Sequence, residues 1–146
     1  MVFLPHANPE SYNSTPLWTA AWDGHEGVVR LLLQVGAAVD EAEDGGRTPL
    51  WIAAQNGQEA VVRLLLQAGA AVDEAEDSGA TPLCIAAAYG QEVVVRLLLA
   101  AGADPASGRG GDREACRRAL LHAPPSCSRQ QPSCVRVLRS FVGGGF

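Results

Sequence analysis

Residues 48–80 read TPLWIAAQNGQEAVVRLLLQAGAAVDEAEDSGA, and nearly the same line stands before them from Thr15 and again after them from Thr81. The opening recurs as Thr15-Pro16-Leu17, Thr48-Pro49-Leu50 and Thr81-Pro82-Leu83, a period of thirty-three residues, and most following positions repeat in step. A period of this length marks a supersecondary unit that buries its apolar face only against a copy of itself. A short solenoid is therefore expected.

The middle unit shows how each copy should fold. Thr48 can cap a helix whose first position is Pro49, where a missing N–H costs nothing, and Leu50, Ala53 and Ala54 give it one compact apolar face. Gly57 should end this helix after two turns. A second helix, from about Gln58 to Gln67, places Val61, Val62, Leu64, Leu65 and Leu66 on a wide apolar stripe with Arg63 outward, and Gly69 closes it. Asp73 to Gly79 is polar, acidic and glycine-bearing, which suits an exposed turn. Helices this short are marginal alone, so stacking must stabilise them. The spacing predicts helix pairs over 16–34, 49–67 and 82–100, with exposed segments near 37–47 and 70–80.

The unit length, the TPL opening, the Ala-Ala pair, the mid-unit Gly, the V-V-R-L-L-L run and the closing Gly-Ala together resemble the ankyrin repeat. The resemblance implies an all-α, ankyrin-like solenoid of stacked helix-turn-helix repeats with exposed β-turn fingers. It places three repeats at 15–47, 48–80 and 81–104, after an N-terminal extension over 1–14 and before a divergent basic segment over 105–146. The family usually carries His after T-P-L, where the imidazole ties the turn; Trp18, Trp51 and Cys84 stand there instead, so that polar tie is expected to be lost. Two indoles one unit apart read as an apolar ladder bracing neighbours, with ligand stacking as the other reading. The finger Asn of the family is replaced by Asp40 and Asp73.

At 146 residues, 47% apolar and 18% charged, the chain is expected to be one soluble domain. No apolar run reaches membrane length, because Arg30, Arg63 and Arg96 interrupt the second-helix runs, and MVFLPHANPE lacks the basic start and apolar stretch of a secretory signal. An intracellular protein, cytoplasmic or nuclear, follows as the expectation, with Cys84, Cys116, Cys127 and Cys134 as free thiols. The net charge of −5 hides a division. Residues 1–104 carry four arginines against fourteen carboxylates, whereas 105–146 carry seven arginines against Asp112 and Glu114.

Pro105 to Gly111 reads as a loop. Beyond it, Cys116, Ala119, Leu120 and Ala123, and then Cys134, Val137, Leu138 and Phe141, recur at helical spacing. A degenerate fourth repeat capping the stack is one reading of 105–146, and a disordered basic tail, favoured by Pro124, Pro125 and Pro132, is the other. Either version could also dock its arginines on the acidic fingers. At the front, Thr15 begins the first unit directly, and a terminal unit normally needs a polar face, which suggests a fragment of a longer array.

The sequence carries no nucleophile–base pair, phosphate-binding loop or other catalytic signature, so no enzyme and no cofactor are expected. Cys116, His122, Cys127 and Cys134 could form a Cys3His set, but their intervals match no compact zinc pattern, and no metal is expected. What remains is recognition by a surface. The first two units differ only at Thr19/Ile52, Trp22/Gln55, Asp23/Asn56, His25/Gln58, Gly27/Ala60, Val35/Ala68, Gly45/Ser78 and Arg47/Ala80. The family resemblance implies partner contacts at finger tips and at the exposed end of the first helix. That selects Tyr12, Trp22, Asp23, Asp44, Arg47, Gln55, Asn56, Asp77, Ser78, Ala88 and Tyr89, although free drift at exposed positions would give the same pattern.

A non-catalytic protein-interaction module is thus expected, monomeric and without a membrane partner. Trp22 and Tyr89 would anchor the partner, while Asp40, Glu41, Glu43, Asp44, Asp73, Glu74, Glu76 and Asp77 steer a basic protein or peptide. Nucleic-acid binding through the Arg-rich 105–146 segment is the alternative, disfavoured by the acidic repeats.

Overall fold

A computed structural model describes residues 14–77 and 79–103. They form six helices in three pairs: α1 (Pro16–Asp23) with α2 (Glu26–Gln34), α3 (Pro49–Asn56) with α4 (Glu59–Gln67), and α5 (Pro82–Ala88) with α6 (Glu92–Ala100). Each pair matches its predicted span, and no strand occurs among the described residues. The all-α repeat architecture read from the thirty-three-residue period is the one observed.

The first helix of each pair starts for the same reason three times over. Thr15, Thr48 and Thr81 stand in extended backbone and their hydroxyls accept from the N–H of Trp18, Trp51 and Cys84 at 3.1, 3.2 and 3.3 Å. Proline follows at the first helical position, where no donor is lost. Gly24 and Gly57 end α1 and α3 in the left-handed region, at φ 74° and 69°, where a Cβ would be strained. Both sites are also tight. A Cβ on Gly24 would collide with the Gln58 side chain, and one on Gly57 with Gln91.

The second helices begin without a side-chain cap, at His25, Gln58 and Gln91. Glu26, Glu59 and Glu92 in their first turns complement the helix dipole instead. Glu26 and Glu92 also pair with Arg30 and Arg96 one turn on, at 2.8 and 2.6 Å. These pairs are exposed and contribute about 0.3 kcal/mol each.

Packing runs along the stack: α1 lies on α3 and α3 on α5, while α2, α4 and α6 form a parallel outer row. The core is built from Leu17, Leu50 and Leu83 with the alanines beside them, and from Val29, Val62, Val95, Leu65 and Leu98 of the second helices. Leu65 is wholly buried, whereas Gln55 is half-buried and its backbone, not its side chain, makes the bond to the next unit. Among the described residues, every buried side-chain nitrogen or oxygen has a partner.

Cys84 departs from expectation. It is buried beside Thr81, whose hydroxyl donates to its Sγ at 3.2 Å, and it is disulfide-bonded rather than a free thiol. Its bonding partner lies outside the described residues. The expectation rested on an assumed reducing compartment, which no residue of the chain encodes.

Leu65→Ala should lower the unfolding free energy by about 2–5 kcal/mol, because it opens a cavity in the middle of the stack. Gln55→Ala should be nearly neutral. Denaturant midpoints of the two variants check this, and equal midpoints would contradict the assignment of buried and exposed faces.

Candidate interaction surface

The fingers are the loops that join one pair to the next, and their shape is set by short backbone ties. In the first, the Glu43 N–H donates to the Arg47 carbonyl at 3.1 Å and the Gly46 N–H to the Glu43 carbonyl at 2.9 Å. The second repeats this with Glu76 N–H to Ala80 at 3.0 Å and Gly79 N–H to Glu76 at 2.8 Å. The two fingers are also joined to each other. The Asp77 N–H donates to the Gly45 carbonyl at 3.0 Å, and the Ala71 N–H to Asp40 Oδ1 at 2.9 Å. Asp40, standing where the family has an amide, thus ties the first finger to the start of the second.

Charge on the fingers is not uniform. Glu41, Asp44, Glu74 and Asp77 are exposed, but Glu43 is buried and is no steering group. Its carboxylate accepts from Arg47 Nε and Nη2 at 2.9 and 3.0 Å and from the Arg47 N–H at 3.1 Å. Burial by itself pushes this carboxyl up; the Arg47 guanidinium and the N–H groups of Arg47 and Gly45 outweigh it and hold the pKa below the usual value. Arg47 is correspondingly half-buried and also lies over the Trp51 ring, 5.7 Å from its centroid. Ala80 occupies the equivalent place in the second finger, where its N–H donates to Glu76 Oε1 at 3.1 Å.

The tryptophans correct the expectation that replacing the imidazole abolishes the polar tie. Trp18 Nε1 donates to the Arg47 carbonyl and Trp51 Nε1 to the Ala80 carbonyl, both at 3.0 Å. Each indole therefore anchors the residue that leads into the next Thr-Pro-Leu, while its rings fill the core. Trp18 meets Trp22 within its own unit, with centroids 5.1 Å apart and planes tilted by 38°. Neither buried indole offers a face for ligand stacking.

Along the rim, the side chains at the ends of the first helices are partly engaged in joining units. The Trp22 carbonyl accepts from Asn56 Nδ2 at 3.2 Å and Gln58 Nε2 at 3.4 Å, and the Gln55 carbonyl accepts from Gln91 Nε2 at 3.0 Å. Trp22 and Tyr89 are half-buried, Asp23 and Asn56 exposed, Gln55 half-buried and Ala88 buried. The structure thus gathers Trp22, Asp23, Gln55, Asn56, Ala88 and Tyr89 at successive helix ends and puts Asp44, Arg47 and Asp77 in the fingers. Tyr12 and Ser78 lie outside the described residues, as do the Cys116, His122, Cys127 and Cys134 set and the whole 105–146 segment.

A hollow of about 150 Å3 lies between the turns of the second and third pairs and is lined by Gly57, Glu59, Gly90, Gln91, Glu92, Val93 and Val94. It is smaller than ligand pockets, which run to about 300–1,000 Å3. Among the described residues no His, Cys, Asp or Glu cluster could hold a metal ion, and no helix is long and apolar enough to cross a membrane.

A three-copy ankyrin-repeat model matches residues 35–109, and a single ankyrin-repeat model matches 12–44. The chain belongs to the ankyrin repeat family, whose repeats serve generally as protein–protein interaction modules and are not generally enzymes. No curated protein matches the sequence significantly.

Because the Glu43 pKa is lowered on folding, its contribution to stability is full above the ordinary carboxylate range and is lost as pH falls through the lowered value. Arg47→Ala should remove the groups that lower it and leave burial to push it up. Glu43's share of the acid limb of the stability–pH curve should then vanish or reverse, so that a loss of about 1–3 kcal/mol at neutral pH narrows as the pH falls. Denaturant unfolding across a pH series measures both.

Proposed function

We propose that this protein is a non-catalytic binding module that recognises a basic segment of a partner protein through its two described fingers and the adjoining helix ends. The observation that carries this reading is the inter-finger tie, Asp77 N–H to the Gly45 carbonyl. It fixes the spacing of neighbouring fingers, so the exposed carboxylates of Glu41, Asp44, Glu74 and Asp77 are presented by a rigid edge rather than by independent loops. Preorganised charge favours encounter with an oppositely charged segment and lowers the ordering cost of binding. Trp22 and Tyr89, half-buried at the C-terminal ends of α1 and α5, offer flat apolar surface for side chains of the same segment. The repeats proper occupy 15–104, and the basic 105–146 segment is a candidate competitor for the same edge.

An Arg-rich peptide should bind the full chain with an affinity that falls as salt rises. Glu41→Lys with Asp44→Lys should weaken it about tenfold or more, whereas Glu59→Lys, on α4 away from the fingers, should change it little. Titration calorimetry at two ionic strengths provides the measurement. Equal affinities for the parent and the finger variant would reject the acidic edge as the site, and gain of affinity without residues 105–146 would mark that segment as competitor.

A further inference from the structure

The leading side of the first unit carries an apolar stripe, Val28, Leu31 and Val35, whose first two positions are covered wholly or in part in the other units, while the counterparts of the third, Ala68 and Ala101, are exposed there too. Val28, Leu31 and Val35 are 47%, 63% and 80% exposed, whereas Val61 and Val94, the counterparts of Val28, are each 1% exposed and Leu64 and Leu97 are half-buried. In the second and third units this helix side is the stacking surface that lies on the preceding second helix. On α2 it is a continuation of an established packing surface with nothing described upon it. The spacing of Val28, Leu31 and Val35 is three and then four residues, the seam of a two-helix contact.

We propose that this stripe is where a second copy of the chain docks, with the two α2 helices antiparallel about a twofold axis near Leu31. The stripe reads alike from both ends: Gly27, Val28, Leu31, Val35, Gly36. An antiparallel pair therefore brings Val28 of each copy opposite Val35 of the other and sets Gly27 opposite Gly36, which is the self-complementarity a twofold interface needs. Both glycines are open, with nothing within 4 Å of the position a Cβ would take, so the backbones can approach closely. Val35 adds apolar bulk where the other units have Ala68 and Ala101, although no neighbour within its own stack uses it.

Charge fits a like partner. The ionic groups on α2, Glu26 and Arg30, are already paired with each other, so two copies meet without unpaired like charge. His25 and Asp23 stand 3.8 Å apart at the start of the helix, beyond the stripe. A basic or acidic partner would find nothing here to attract it. With a helix of nine residues, about 14 Å long, the contact is of the small, transient class, half-formed at roughly 100 μM or above.

Sedimentation velocity of the full chain from about 5 μM to about 1 mM tests this, with amide hydrogen exchange at both extremes. The expected result is a monomer–dimer equilibrium with protection of residues 27–36 that grows with concentration. Leu31→Glu should abolish it, while Val93→Glu, which puts the same charge on an exposed position of α6, should leave it intact. If Leu31→Glu disturbs folding by circular dichroism, Val35→Glu, at the most exposed position of the three, serves in its place. A monomer at every concentration overturns the proposal, as does a dimer that survives these changes. A monomer whose residues 27–36 lose protection when residues 1–13 are removed overturns it in favour of cover by the chain's own leading segment.

Discussion

Helices of seven to nine residues cannot hold themselves in water, since the cost of nucleating each one is recovered over too few hydrogen bonds. Every other feature of this chain answers that constraint. The apolar faces are small, alanine-rich and repeated, so that one helix pair closes against the next at short distance, and the largest wholly buried side chains, Trp18, Leu17, Leu50, Ile52, Leu65, Leu83 and Leu98, are spread through all three units. No unit owns a core; the middle unit shares one with each of its neighbours.

Polar groups follow the same logic. The carbonyls at the ends of α1 and α3 would be orphaned by the glycine that stops the helix, and they are met by amides from the following unit, Asn56 and Gln58 in one case and Gln91 in the other. The indole N–H groups of Trp18 and Trp51 reach forward to the residue before the next Thr-Pro. Apolar contact supplies most of the stabilisation, while these bonds set the register in which the units meet. That register, in turn, is what aligns the fingers and makes their exposed carboxylates a single edge.

The helix pairs were legible because their signals are local. Thr-Pro opens a helix and Gly closes it within one turn, wherever the chain sits. The acceptors of Trp18 and Trp51 were not legible, since they are backbone carbonyls twenty-nine positions on and no residue type announces a carbonyl. Glu43 looked like one more finger carboxylate because its burial depends on how the loop closes over it, with Arg47 four positions on. The difference between Arg47 and Ala80 was visible and was read as surface variation, when half of its meaning is internal to the first finger. The exposed edge itself followed from composition, but its rigidity came only with the Asp77–Gly45 bond.

The ties between units fix how such a chain can change in length. Gln58 reaches back 36 residues and Gln91 another 36, while each indole reaches 29 forward. A whole added or removed period leaves every one of these partnerships in place, because the donor simply meets the same carbonyl in a different copy. An insertion of any other size within a helix pair shifts donors away from acceptors and apolar faces away from one another at once. Growth of the array is therefore quantised, with only the finger tips free to vary continuously.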